Sequence, residues 1–295
     1  MIYDVTHITD YEYGAPVVVN ECVARLRPRE EPGQRVSGFR VEVTPTPRDW
    51  NEHVDAFANI VARMRIETKH TEMTIKSTSR VEVSRPAPPA AALTPPWETV
   101  AAEAVASQSL APDSPAFAIY PSRMVSLFPA ATTYARESFA PGRPIYEAAL
   151  DLNRRIHADF AYDPEATDAR TPPATAFAAR RGVCQDFAHV MIAGLRGLGL
   201  PALYISGYIR TYPPPGKARL VGADASHAWV CVWCGPAFGW LGLDPTNDIA
   251  EGDDHIVVAR GRDYADVPPV DGVILSFGGH DLKVSVDVAP VETAG

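Results

Sequence analysis

The sequence predicts an α+β protein in which a β-rich N-terminal domain precedes a larger domain of mixed helices and strands. Three observations predict this fold class. The stretch 1–85 contains short runs that alternate polar and apolar side chains. Five prolines then fall between Pro86 and Trp97. After them, apolar residues recur at helical spacing and are followed by further strand-like runs.

The length, net charge and cysteine content of the chain limit the classes of protein to which it can belong. A chain of 295 residues is long enough for one large domain or two ordinary ones. Its net charge of −9 argues against a nucleic-acid groove or an anionic membrane surface as the main partner. We see no apolar run of membrane-spanning length and no signal-peptide pattern at the N-terminus, and four cysteines are too few for a disulfide scaffold. We therefore expect a cytoplasmic protein without a nucleic-acid or membrane partner.

We expect the N-terminal domain to span residues 1–85 and a proline-rich connector to span residues 86–97. The alternative is a long surface loop inside one domain. Dense proline prevents regular strand pairing and stiffens a connector. The strand-like stretches of the N-terminal domain are VVVNECVARLRP, SGFRVEVTP, NIVARMRIE and MTIKSTSRVEV.

We expect residues 98–295 to form the second domain, with a core at 143–250 and a β-rich C-terminal tail. Pro144 can occupy the first turn of a helix. The alanine-rich ATAFAARR predicts a short helix, and a longer one runs from Cys184 to Leu198, where Gly199 and Pro201 stop it. The predicted strands that follow are ALYISGYIR, HAWVCVWC and GWLGLDPT.

Cys184 stands at the start of the longer helix, in the stretch RGVCQDFAH. A helix N-terminus has unpaired backbone N–H groups and the positive end of the macrodipole, and both stabilise a thiolate. Gly182 permits a tight turn and a close approach of substrate. The alternative is a small buried residue that happens to begin a helix. The position therefore makes Cys184 a candidate nucleophile.

Two further residues complete a possible catalytic set. His227 begins the strand SHAWV, and Asp244 ends the next strand, GWLGLD. Two antiparallel strands joined by the turn CGPAFG would bring both side chains close together. A cysteine, a histidine and an aspartate in this order supply a nucleophile, a base and a group that orients the base.

These three blocks resemble the transglutaminase-like superfamily, whose members have a papain-like core. The resemblance is carried by RRGVCQDFAHVMIAGLRGLGLPALYISGY, SHAWV and GWLGLDPTN, and it covers roughly residues 143–250. The stretches VTHITDYEYGAPV and ARGRDYADVPPV resemble the bacterial branch of that family, which carries a β-rich N-terminal domain. The resemblance implies Cys184 as nucleophile, His227 as base, Asp244 as orienting acid, and acyl transfer through a thioester.

Other candidate sites are weaker. Cys231 and Cys234 form a C-x-x-C pattern, but in a strand residues three apart point to opposite faces, and a zinc site usually needs a second pair of ligands. We find no calcium-loop spacing. We therefore expect no metal and no cofactor.

Further side chains near the three blocks are interpreted as structural. Asp186 is expected to cap its helix, and His189 to pack away from the thiol because it lies about 140° round the helix. The other residues in this group, expected to pack or to form walls, are Tyr204, Tyr208, Trp229 and Trp240.

The leading hypothesis is a cysteine protease or amidase that acts on a peptide or protein amide. The first alternative is a transglutaminase, in which an amine replaces water as the acyl acceptor. The second is a non-catalytic binding module on the same fold. A complete Cys-His-Asp set speaks against the binding module, because a pure binder has no physical need for all three residues. The backbone N–H of Cys184 is a natural oxyanion donor.

Overall fold

In the computed structural model, which describes residues 1–212 and 225–291, the N-terminal part of the chain is built from strands. Their bounds are β1 (Ile2–Val17), β2 (Val19–Ala24), β3 (Gln34–Thr44), β4 (Asp49–Val54), β5 (Ile60–Ile66) and β6 (His70–Val83). The alternation read from the sequence becomes alternating burial along β6, because successive side chains of a strand point to opposite faces. Strand β4 is not among the predicted strands, because every one of its residues is exposed and no alternation of burial marks it.

Helices follow the proline-rich segment. They are α1 (Trp97–Ala106), α2 (Pro129–Arg136), α3 (Ile145–Asp159), α4 (Pro173–Ala179) and α5 (Cys184–Gly197). The last three coincide with the predicted helices, except that Pro144 caps α3 from outside instead of occupying its first turn. Helix α5 is buried from its second residue to its thirteenth, so it forms the centre of the largest apolar core.

The remaining strands come from the second half of the chain. They are β7 (Ala161–Tyr162), β8 (Arg181–Gly182), β9 (Ala202–Ile209), β10 (Ala225–Trp233), β11 (Trp240–Asp244), β12 (Ile249–Ala250), β13 (His255–Gly261), β14 (Val270–Leu275) and β15 (His280–Pro290). Five of them form an antiparallel sheet in the order β12-β11-β10-β9-β13, and α5 packs on it. This sheet and α5 position the candidate site.

The two last strands pair with the first two. Strand β15 runs antiparallel to β1 from Tyr3↔Pro290 to Tyr13↔His280, and β14 pairs with β2. The N-terminal sheets therefore have the orders β15-β1-β6-β3 and β14-β2-β5-β4. The expected second domain, residues 98–295, was assigned a β-rich C-terminal tail, and β14 and β15 of that tail pair with the N-terminal strands. Alternation identifies a strand, but it does not reveal a partner that lies near the opposite end of the chain.

Buried polar contacts hold the N-terminal sheets against the five-stranded sheet. The side chain of Gln34 donates from Nε2 to the backbone oxygen of Val257 and accepts at Oε1 from its N–H, both at 2.8 Å. Glu31 forms ion pairs with Arg85 and Arg260 in the same region. Because buried polar groups are costly unless paired, these contacts fix how the two units meet. Within the described ranges, we find no helix with the length and apolarity needed to cross a membrane.

Candidate active site

Cys184 is the first residue of α5 and follows Val183, whose backbone is extended. The carboxylate of Asp186 accepts hydrogen bonds from the Val183 N–H at 2.8 Å and from the Thr167 hydroxyl at 2.6 Å. Burial raises the pKa of Asp186, and these two hydrogen bonds oppose that shift. The carboxylate caps the helix as the sequence indicated, and it holds the backbone just before the thiol in place.

Gly182 makes this cap possible. A Cβ added at Gly182 would lie 2.8 Å from Cγ of Asp186 and closer still to its Oδ2. The group that approaches this glycine is therefore the capping carboxylate, whereas the sequence suggested substrate. The cap and the glycine together define the turn from β8 into α5.

His227 and Asp244 meet inside the sheet. Strands β10 and β11 pair in the register Val230↔Leu243, and Nε2 of His227 lies 2.7 Å from Oδ2 of Asp244. Asp244 is completely buried, and His227 is buried. The separation falls within the range of 2.6–3.2 Å expected for an orienting carboxylate.

The other side of the His227 ring faces Cys184. Burial opposes charge on the ring, but hydrogen bonds with Asp244 and Cys184 outweigh it and raise the pKa of His227 to about 10. Because Nε2 contacts Asp244, Nδ1 is the atom available to the thiol. The thiol and the ring open into a cavity of about 280 Å³. The three predicted residues are therefore together, and their catalytic role stays a prediction.

Asp244 has further hydrogen-bond donors that sequence reasoning missed. Nδ2 of Asn247 donates to its Oδ2 at 2.7 Å, and Nε2 of His255 lies 3.3 Å from the same oxygen. The Gly252 N–H donates to Nδ1 of His255, so the proton of this ring lies on Nε2 and points to Asp244. Asn247 stands in the GLDPTN block and was within reach of sequence reasoning. His255 lies beyond that block, on the next long strand, and carried no motif.

A metal ion has one candidate site among the described residues. Ligand atoms of His227, Asp244 and His255 all lie within 4.8 Å of one another. Both rings, however, are at hydrogen-bonding distance from the carboxylate, and a zinc ion at about 2.0–2.2 Å from each ligand would replace these hydrogen bonds. The C-x-x-C cysteines are both buried, and they belong to different apolar clusters, with Cys231 in one and Cys234 in the other.

The remaining side chains noted in the sequence have packing roles. Nε2 of His189 accepts from the Tyr264 N–H, and its ring lies 5.1 Å from that of Tyr204. Burial lowers the pKa of His189 to about 4, so the ring is neutral. Trp229 is completely buried and lies beside the His227 ring, with centroids 5.9 Å apart.

Two residues contact parts of the chain that the sequence did not indicate. The Tyr208 hydroxyl lies 3.0 Å from Nδ1 of His7, which belongs to β1. Nε1 of Trp240 donates to the backbone oxygen of Asp113. The N-terminal strand therefore reaches the neighbourhood of the candidate site.

Comparisons with known families give two matches. The family described as the Transglutaminase-like superfamily matches residues 132–245, and the Bacterial transglutaminase-like N-terminal region matches residues 3–82. The first range includes all three candidate catalytic residues.

Similar proteins occur in several bacteria. An uncharacterized protein of Mycobacterium tuberculosis is 42% identical over 98% of this chain and 93% of its own length. A protein-glutamine gamma-glutamyltransferase of Pseudomonas aeruginosa is 38% identical over 114 residues, which are 38% of this chain and 17% of that protein. The crystal structure of a proposed cysteine protease from Cytophaga hutchinsonii superposes with a TM-score of 0.72 at 19% identity, covering 100% of this chain and 92% of that one. The fold class predicted from the sequence is confirmed.

Proposed function

Because this chain belongs to the transglutaminase-like superfamily, we propose that it is a cysteine-dependent hydrolase of a peptide or side-chain amide bond. The observation that supports this most directly is the buried pair of His227 and Asp244, with the free nitrogen of the ring directed at Cys184. A neutral packing histidine would not need a buried carboxylate at 2.7 Å on one side and a thiol on the other.

The proposed reaction has two steps. The Cys184 thiol gives its proton to Nδ1 of His227, its sulfur attacks the carbonyl carbon, and the carbonyl electrons move onto oxygen, near the backbone N–H of Cys184 at the start of α5. The C–N bond then breaks as Nδ1–H of His227 protonates the leaving amine, which gives a thioester. In the second step His227 takes a proton from water, the hydroxide attacks the thioester, and the acid is released as the thiol recovers its proton.

Asp244 keeps the ring of His227 oriented and stabilises its positive charge in both steps. Burial raises the pKa of this carboxyl, but hydrogen bonds from His227 and His255 outweigh burial and lower the pKa, so the carboxylate remains ionised. A proton that His227 takes up in either step therefore stays on its ring and is not passed to the carboxylate.

We propose water as the acyl acceptor. Transfer to an amine needs a site that attracts a lysine side chain and keeps water away from the thioester. None of the described residues that line the cavity at Cys184 is an aspartate or a glutamate, so an ammonium group finds no counter-ion there. The alternative is a transglutaminase, which the name of the Pseudomonas aeruginosa relative favours.

The test offers a mixture of peptide amides together with a millimolar primary amine and follows the products by mass spectrometry. Free acids are expected as the main products of the wild-type protein. Cys184→Ala should give none, and Cys22→Ala, which changes a buried thiol of the N-terminal core, should match the wild type. Dominant amine adducts would establish the transglutaminase instead, and a reaction that persists in Cys184→Ala would refute both.

A further inference from the structure

The cavity at Cys184 and His227 is completed by strands from the N-terminal sheets. Its walls include Thr9 and Tyr11 of β1 and Leu282 and Val284 of β15. These side chains pair directly across the two strands, in the register Thr9↔Val284 and Tyr11↔Leu282, so they share one face of the sheet. That face and Cys184 line the same cavity.

This wall leaves apolar surface open. Leu282 is 54% exposed and Val284 is 47% exposed, although both line a cavity next to the candidate nucleophile. An apolar side chain of a substrate placed against them would be removed from water together with them, at a gain of about 25 cal/mol per Å². The exposed side chains of Leu282 and Val284 therefore favour an apolar occupant.

The charge of the cavity supports the same occupant. Apart from the His227 ring and the Cys184 sulfur that it faces, the described lining residues carry no charged side chain. His7, which also lines the cavity, is neutral because burial lowers its pKa to about 4. A lysine, arginine, aspartate or glutamate side chain placed against the wall of β1 and β15 would therefore lose its hydration without gaining an ion-pair partner on that wall.

The wall is also held rigidly in place. The His7 ring bridges the Tyr208 hydroxyl at 3.0 Å and the Thr9 hydroxyl at 2.9 Å, and it thereby ties β1 to β9 of the five-stranded sheet. Because the wall is already ordered before a substrate binds, little of the binding free energy is lost in ordering it. The volume of about 280 Å³ lies at the lower end of ligand pockets, which suits one side chain with its adjoining backbone.

We propose that this cavity is the acyl-side subsite, that strands β1 and β15 form its specificity-determining wall, and that it takes a neutral aliphatic or aromatic side chain of the substrate. The inference rests on the proposed function, because it places this side chain of the substrate next to the carbonyl that Cys184 attacks. It gives the N-terminal sheets a role in choosing the substrate.

The test measures binding of small amides to the full-length Cys184→Ala protein, which cannot react with them. The probes are N-acetyl-leucinamide, N-acetyl-phenylalaninamide, N-acetyl-lysinamide and the α-amide of N-acetyl-glutamate, and dissociation constants come from chemical-shift titration. The two apolar amides are expected to bind at least about tenfold more tightly than the two charged ones, which is about 1.4 kcal/mol. Equal affinities for all four probes would overturn the proposal.

A second substitution tests the wall itself. Adding Leu282→Glu is expected to weaken binding of N-acetyl-leucinamide at least about fivefold, because the carboxylate replaces apolar surface. The matched control is Leu275→Glu on β14, which changes a leucine that is 62% exposed and lies outside the cavity. It should leave the affinity unchanged, and equal affinities in both variants would refute the role of β15.

These outcomes separate the inference from the proposed function. If Cys184→Ala binds the apolar amides selectively and the wild-type protein releases no free acid from these amides or from the peptide mixture, hydrolysis is refuted and the subsite stands. If the wild-type protein cleaves amides with no preference for apolar side chains, the subsite is refuted and hydrolysis stands.

Discussion

Replacing Asp244 with asparagine is expected to remove most of the reactivity of Cys184 at neutral pH. In the native protein Oδ1 of Asp244 accepts from the N–H groups of Thr246 and Asn247, at 2.9 and 3.2 Å. An asparagine oxygen can keep these two bonds. Its NH₂ group must then occupy the place of Oδ2, where Nε2 of His227 now donates at 2.7 Å.

In Asp244→Asn the neutral ring of His227 would carry its proton on the wrong nitrogen. With an amide donor in front of it, Nε2 of His227 has to present a lone pair, so the neutral ring carries its proton on Nδ1, toward Cys184. Removing one partner of a buried ion pair costs about 3–5 kcal/mol. This corresponds to a fall of roughly two to four units in the pKa of His227, which is about 10 in the native protein.

The assay is alkylation of Cys184 by iodoacetamide, followed by mass spectrometry between pH 6 and pH 9. At pH 7 the rate for Asp244→Asn is expected to be about 10- to 100-fold below the wild-type rate, and to rise with pH as it does for an ordinary thiol. The control is Asp55→Asn, because Asp55 accepts from the N–H groups of Phe57 and Asn59, both at 2.9 Å, in a turn of the N-terminal sheets. The control should react like the wild type.

The free energy of unfolding should depend on pH for the same reason. The pKa of His227 is raised from 6.5 to about 10 on folding, so its contribution is fully present below pH 6.5 and is lost as the pH rises toward 10. The free energy of unfolding, measured in urea, should be higher for the wild type than for Asp244→Asn at pH 6. This difference between the two proteins should be smaller at pH 10. An unchanged alkylation profile in Asp244→Asn, or a gap that widens with pH, would refute this reasoning.

Three further substitutions or comparisons test other parts of the site. In native protein at pH 7, iodoacetamide should modify Cys184 faster than Cys22, because burial raises the pKa of Cys22 to about 12; equal rates would contradict a reactive thiol. Gly182→Ala crowds the capping carboxylate of α5 and should lower the free energy of unfolding by about 1–3 kcal/mol. Gly38→Ala, where an added Cβ meets nothing within 4 Å, is its control, and equal unfolding in urea would disprove the crowding. His255→Phe removes one donor to the orienting carboxylate and should slow alkylation about 3- to 10-fold, less than Asp244→Asn does; no change would show that this donor is dispensable.

The sequence by itself determined many of the local elements and the identity of the three candidate residues. Alternation along residues such as 73–83 predicts a strand because only one face of it can be buried. Gly182, Cys184 and the apolar run after them define the start of α5, because caps and helical periodicity act over a few residues. Asp244 can be predicted as a partner of His227 in the same way, because the two residues lie on strands that are joined by a short turn and are adjacent in the chain.

Only the tertiary structure decided what lies around those residues. His255 donates to Asp244 from a strand on the far side of the sheet, and β15 closes the cavity at Cys184 after pairing with β1. Both contacts depend on which strands pair with which, and local patterns carry no trace of that choice, because hydrogen bonds between strands are formed by backbone groups that every residue has. The chemistry of the candidate nucleophile could therefore be predicted locally, whereas the shape and charge of its cavity depend on long-range packing.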